Sequence, residues 1–179
     1  VGSLPESLCK LTNMEHLTLW QNLFTSSIPS CLGALAKLTW FEIDDNHFSG
    51  TVPPSMCDMT ELIWLTVSLN LFTGQLPSCI GQLAGVVNLT FSFNSFSQIL
   101  PSSLCDMTDT GYLYLNDNAF SGTMPGCLGN LKSLDGLSLA NNKLSGSLPA
   151  GLCDLTNLKL LYLYANRLSS TVPSCYGTN

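Results

Sequence analysis

Apolar residues recur along this chain in a frame that mixes two periods. Residues 131–155, LKSLDGLSLANNKLSGSLPAGLCDL, read L-x-x-L-x-x-L-x-L-x-x-N-x-L-S-G-x-L-P-x-x-L-x-x-L. Leu137 and Leu139 alternate with polar neighbours, which predicts a short strand buried on one face. The stretch after each proline predicts a helical turn. The frame returns every 24 residues: Pro5, Pro29, Pro53, Pro77, Pro101, Pro125, Pro149 and Pro173 keep the step, as do Asn22, Asn46, Asn70, Asn94, Asn118, Asn142 and Asn166. Phe or Leu stands two residues after each asparagine, and Ser or Thr follows it (Thr25, Ser49, Thr73, Ser97, Ser121, Ser145 and Ser169). A step of this length with this leucine frame predicts coils stacked in a solenoid.

In such a stack neighbouring strands pair into one parallel sheet, about 4.7–4.9 Å per coil, so seven strands span about 35 Å. Each asparagine sits where the chain leaves the sheet, and its amide bonds backbone groups that would otherwise be unpaired. Gly50, Gly74, Gly122 and Gly146 mark the bend toward the convex side. Ser26, Gln98 and Ser170 replace glycine in that column, so the expectation is that positive φ is not required there. Thr110 takes the place of an inward leucine, and Asn179 stands where the next one is due.

The frame L-x-x-L-x-L-x-x-N-x-L-S-G-x-L-P resembles the plant-type extracellular leucine-rich repeats of receptor ectodomains and polygalacturonase-inhibiting proteins. The resemblance covers residues 1–179 as one domain of about seven and a half repeats without capping segments. It implies a right-handed α/β solenoid, with a parallel sheet on the concave face and short helical turns on the convex face. It is specific for fold and says little about the ligand.

The eight cysteines do not keep the prolines' step. Cys9, Cys57, Cys105 and Cys153 lie four residues after a proline, whereas Cys31, Cys79, Cys127 and Cys175 lie two residues after one. The true unit is therefore 48 residues, a pair of coils. If the residue three after proline faces the core, positions two and four project to opposite flanks. In a right-handed coil the fourth position faces the next coil, which joins Cys9 to Cys31, Cys57 to Cys79, Cys105 to Cys127 and Cys153 to Cys175. The opposite choice strands Cys9 and Cys175. The glycine at position four of the even coils then faces Ser55, Ser103 or Gly151. Paired thiols place the chain outside the cell, secreted or at the surface.

Charged residues make up only 10% of the 179 residues, and six basic against twelve acidic side chains give a net charge of −6. No Lys/Arg cluster supports nucleic-acid binding, and no apolar run approaches a membrane span. The chain starts at Val1 in mid-pattern with no signal peptide. No catalytic triad, phosphate loop or metal motif is recognisable, so neither enzyme activity nor a cofactor is expected.

Function is expected on the outward strand positions. One column holds His16, Trp40, Trp64, Asn88, Tyr112, Gly136 and Leu160; the next holds Thr18, Glu42, Thr66, Thr90, Tyr114, Ser138 and Tyr162; a third holds Trp20, Asp44, Ser68, Ser92, Asn116, Ala140 and Tyr164. Exposed aromatics with polar tips suit interfaces and sugar stacking. The candidate binding residues are therefore Trp20, Trp40, Trp64, Tyr112, Tyr114, Tyr162 and Tyr164, with Glu42 and Asp44. These two carboxylates share a face about 7 Å apart, a spacing open to catalysis or calcium but read here as a solvated acidic patch. Asn88-Leu89-Thr90 is the single N-glycosylation sequon, in the middle of the same face. The Ser/Thr column is read as a routine feature of such repeats rather than as an array for ice or O-glycans.

The leading expectation is a non-catalytic module that binds a protein, peptide or glycan through its aromatic concave face. The alternative is a structural subunit of an extracellular filament or matrix, assembled from copies stacked end to end.

Overall fold

The computed structural model describes residues 2–169, 173 and 175. One parallel sheet runs through the coils in chain order: β1 (His16–Thr18), β3 (Trp40–Glu42), β5 (Trp64–Thr66), β7 (Asn88–Thr90), β9 (Tyr112–Tyr114), β11 (Gly136–Ser138) and β13 (Leu160–Tyr162). Its register follows the sequence columns, with His16 opposite Trp40, Trp40 opposite Trp64, Trp64 opposite Asn88 and Asn88 opposite Tyr112. A short 3-10 turn follows each proline of the repeat from Pro5 to Pro149, for example Ser30–Ala34 and Pro54–Asp58.

A second parallel sheet was not expected. Its strands are β2 (Thr25–Ser26), β4 (His47–Gly50), β6 (Leu71–Gly74), β8 (Ser95–Ile99), β10 (Ala119–Thr123), β12 (Lys143–Gly146) and β14 (Arg167–Leu168). The Ser/Thr column from Thr25 to Ser145 lies in this sheet, with Ser169 just past β14, and Thr73 and Ser145 donate their hydroxyls to the carbonyls of Gly50 and Gly122 one coil back.

The core is a stack of like on like. Leu32, Met56, Ile80, Leu104, Leu128 and Leu152, each three residues after a proline, are buried. Phe24, Phe48, Phe72, Phe96 and Phe120 form a spine of near-parallel rings, with centroids 5.8, 6.4, 6.0 and 6.1 Å apart. Thr110 is buried without penalty because its hydroxyl donates to the carbonyl of Val86 at 2.8 Å.

The asparagine ladder forms as expected. Asn70 is buried; its Nδ2 donates to the carbonyls of Ile43 and Ser68 at 2.9 and 3.0 Å, while its Oδ1 accepts from the Phe48 amide at 2.9 Å. Asn46, Asn94, Asn118, Asn142 and Asn166 repeat this pattern.

The expectation for the glycine column is corrected. Gly50, Gly74, Gly122 and Gly146 all have φ between 75° and 79°, and Ser26 and Gln98 adopt φ of 71° and 69° in their place. Positive φ is therefore a property of the position, and the two substitutes accept the steric cost of a left-handed backbone. Ser170, the third substitute, and Asn179 lie outside the described residues.

All four cysteine pairs join as the flank geometry requires: Cys9–Cys31, Cys57–Cys79, Cys105–Cys127 and Cys153–Cys175. The unbridged seams are closed by close packing instead. A Cβ placed on Gly33, Gly81 or Gly129 would overlap the carbonyl oxygen of Ser55, Ser103 or Gly151. Disulfide and glycine contacts thus alternate from one seam to the next.

Candidate recognition face

The residues of β1 to β13 that point away from the core form one surface, and the register sets its aromatics side by side. Trp40 and Trp64 stack with centroids 4.5 Å apart and planes 2° from parallel. That separation is close to the strand spacing, so the indoles stand upright on the sheet and face one another along the solenoid. His16 lies beyond Trp40, 6.4 Å away and tilted by 32°. The two tryptophans are consequently half-buried rather than freely exposed. Trp40 has little open ring face for sugar stacking. Trp20 is more open, at 51% exposure.

The acidic residues are less solvated than the sequence implies. Asp44 is half-buried. It accepts hydrogen bonds from the Thr66 hydroxyl and from the Ser68 amide, the latter at 2.6 Å. Burial pushes its carboxyl above the usual aspartate range, opposed by the bonds from Thr66 and Ser68 and reinforced by the charge of Glu42. Glu42 accepts from Trp40 Nε1 at 3.3 Å. The pair is tied into the strand face by different neighbours. Among the described residues no group of three or more His, Cys, Asp or Glu side chains is placed to hold a metal ion.

Two buried polar atoms on this face, Nε1 of Trp64 and Oδ1 of Asn88, have no hydrogen-bond partner among the described residues. They belong to residues directly opposite each other in β5 and β7. One is a donor and the other an acceptor, so the centre of the face carries unmet hydrogen-bonding capacity.

The tyrosines form a separate cluster. Tyr112 and Tyr114 meet edge to face at 5.9 Å, as do Tyr162 and Tyr164 at 6.5 Å. Between the pairs runs a strand of small residues, and Gly136, Ser138 and Ala140 are all buried. A Cβ on Gly136 would lie 2.7 Å from the Tyr114 hydroxyl and 3.0 Å from the Tyr112 ring, so the glycine makes room for both rings. Burial, then the proximity of Tyr112 and Tyr162, pushes the Tyr114 hydroxyl up. Lys159 pairs with Asp135 at 3.0 Å at the margin of this cluster.

The sequence columns place these residues correctly but do not separate the tryptophan stack from the tyrosine cluster. They also pass over the rim beyond the third column, where Leu69, Leu71 and Phe93 are exposed. The available signal is that these apolar residues interrupt columns otherwise held mostly by polar ones.

Repeat, sheet and latch together define a leucine-rich-repeat solenoid. Two stretches match leucine-rich-repeat family models, residues 111–168 and residues 37–59. The crystal structure of a TDR receptor superposes with a TM-score of 0.96 at 35% identity, over 98% of this chain and 30% of that one. The Arabidopsis receptor kinase HAESA, solved with the peptide hormone IDA and the co-receptor SERK1, gives 0.95 at 31% identity, over 99% and 30%. The structure of PEPR1-AtPEP1 gives 0.93 at 29% identity, over 97% and 24%. No curated protein matches the chain in sequence. The chain belongs to the plant-type extracellular leucine-rich-repeat family, and spans less than a third of the length of these receptors.

Proposed function

We propose that the chain is a non-catalytic extracellular recognition module that takes a peptide or protein segment on its strand face. The observation that supports this reading most is the run of aromatics that the strand register sets on one surface, the Trp40–Trp64 stack and the Tyr112–Tyr114 pair. Amphipathic rings gathered in this way offer a partner apolar contact and polar tips. The peptide hormone bound by HAESA gives the reading a precedent in a similar solenoid. Four disulfides fit a secreted or surface-held chain. Among the described residues no helix is long and apolar enough to cross a membrane.

Asn88 is the proposed acceptor of an N-linked glycan. It stands in register between Trp64 and Tyr112, so a glycan there divides the face into a tryptophan half and a tyrosine half. A mass shift removed by peptide N-glycosidase and absent in Asn88→Gln reports occupancy.

The binding test pans a phage-displayed random dodecapeptide library against the intact oxidised chain. Enriched peptides are expected to lose about thirtyfold in affinity on Trp40→Ala or Trp64→Ala, with circular dichroism unchanged. Enriched peptides that bind both variants as tightly as the parent contradict recognition through this face.

A further inference from the structure

We infer that the segment recognised is an extended peptide carrying a basic and a large apolar side chain about three residues apart, seated along the rim where the strand face turns into the second sheet. The inference rests on the recognition reading above and adds to it the ligand's chemistry and place.

Two columns flanking the asparagine ladder make this rim. Before each asparagine stand Gln21, Asp45, Leu69, Phe93, Asp117, Asn141 and Ala165, and after each stand Leu23, His47, Leu71, Ser95, Ala119, Lys143 and Arg167. In the first two coils Gln21, Leu23, Asp45 and His47 line one depression. On the next two coils the same columns carry Leu69, Leu71 and Phe93, exposed by 49%, 53% and 50%.

Leu69 and Phe93 break two local rules at once. Their φ angles are 53° and 54°, in the left-handed region, where bulky side chains pay a steric cost and short polar ones such as Asp and Asn are tolerated. All seven residues of the column, Gln21, Asp45, Asp117, Asn141 and Ala165 included, hold φ between 52° and 57°, but Leu69 and Phe93 are the bulky apolar ones. Neither Leu69 nor Phe93 recovers the cost by burial. Adjacent positions that violate both backbone preference and burial mark a site whose purpose lies in contact with something else.

The charges select the occupant. Asp45 lies one coil before Leu69 on the rim, with Glu42 at the end of β3 and Asp44 two residues beyond it. The two salt bridges among the described residues, Lys132–Asp154 and Lys159–Asp135, are both elsewhere. Beside the three carboxylates only His47 carries a basic group on the rim of that coil. This end attracts a cation and repels an acidic polysaccharide. From Asp45 to Phe93 is two coil steps, about 10 Å, which an extended peptide covers in about three residues. Asn88 opens β7, in the middle of the sheet along the solenoid but at the strand ends remote from the rim, so a glycan there leaves the rim open.

The test uses the dodecapeptides enriched on the intact chain. They are expected to share a Lys or Arg three positions from a Phe, Leu or Trp. Their affinity should fall at least tenfold on the Leu69→Asn/Phe93→Gly double variant and on Asp45→Asn. The double variant should melt no lower than the parent, because asparagine and glycine suit the left-handed backbone. Enriched peptides that lack the paired side chains, or that bind the double variant equally, overturn this inference and leave the strand-face reading standing. A lower melting temperature of the double variant also overturns it, by giving Leu69 and Phe93 a structural role. Failure to enrich any peptide, or binding of cellohexaose alone, overturns both readings.

Discussion

Gly33 packs directly against the backbone of Ser55, one coil further along, so that a Cβ on Gly33 would fall 2.9 Å from the Ser55 carbonyl carbon. Nothing in the glycine's own backbone demands this residue; the neighbouring coil does. The contact occupies a seam that carries no disulfide, and Gly81 and Gly129 repeat it 48 and 96 residues later. Gly33→Ala should therefore destabilise the chain by about 1–3 kcal/mol through overpacking. Gly126 has open space at its Cβ position, and Gly126→Ala should leave stability unchanged or raise it by about 0.4–1 kcal/mol. Urea unfolding of both variants checks the contrast, and equal effects would refute the packing explanation.

Asn70 holds two coils together, and the Phe48 amide of the preceding coil depends on its Oδ1. Asn70→Ala leaves the buried Phe48 amide unpaired, at a cost of about 1–3 kcal/mol, and takes one of two donors from the Ile43 carbonyl, which keeps its bond from Asn46 Nδ2 at 3.2 Å. Asn22, at the exposed end of the ladder, donates only to Leu19 and Trp20 of its own coil. Asn22→Ala is expected to cost less, and thermal unfolding of the two variants ranks them.

Gln98 pays for a conformation that glycine adopts freely. A left-handed residue costs about 1–2 kcal/mol, and glycine in its place loses about 0.5–1 kcal/mol of chain entropy. Gln98→Gly should raise stability by about 0.5–1 kcal/mol. Gly74→Ala should lower it, because the new Cβ meets both the backbone penalty and Thr51 Cγ2 at 2.9 Å.

Asp44 predicts a pH dependence of definite sign. Its folded carboxyl binds a proton more readily than the unfolded one, because burial disfavours the charged form. The folded state then holds more protons just above the ordinary aspartate value of 3.8, and stability contributed by this group falls as pH rises through that window. Asp44→Asn removes the dependence. The stability of the parent relative to the variant should be greater at pH 3.5 than at pH 6 in urea unfolding, and the reverse order would contradict the burial account.

The repeat carried most of the fold into view. Strand columns, the asparagine ladder and the four disulfide pairs follow from the 24- and 48-residue steps, because stacked coils turn sequence offsets directly into neighbours. The second sheet did not show, since its strands have only the single inward Phe or Leu before the left-handed step and no alternation to reveal them. The glycine column misled for a related reason: Ser26 and Gln98 look like relaxed substitutes, yet stacking forces them into the glycine conformation. On the face, the columns named Trp40 and Trp64, but their stacking depends on rotamers that offsets do not encode. Leu69 and Phe93 were visible as apolar letters, though not as strained ones.

Pairing of coils by disulfides on alternate seams underlies both the extracellular reading and the open strand face. The direct measurement is a non-reducing peptide map of the folded chain. It should recover Cys57 joined to Cys79 and Cys105 joined to Cys127, each across 22 residues, with no free thiol. A peptide joining Cys31 to Cys57 or Cys79 to Cys105, or recovery of the thiols unpaired, would contradict the paired-coil solenoid.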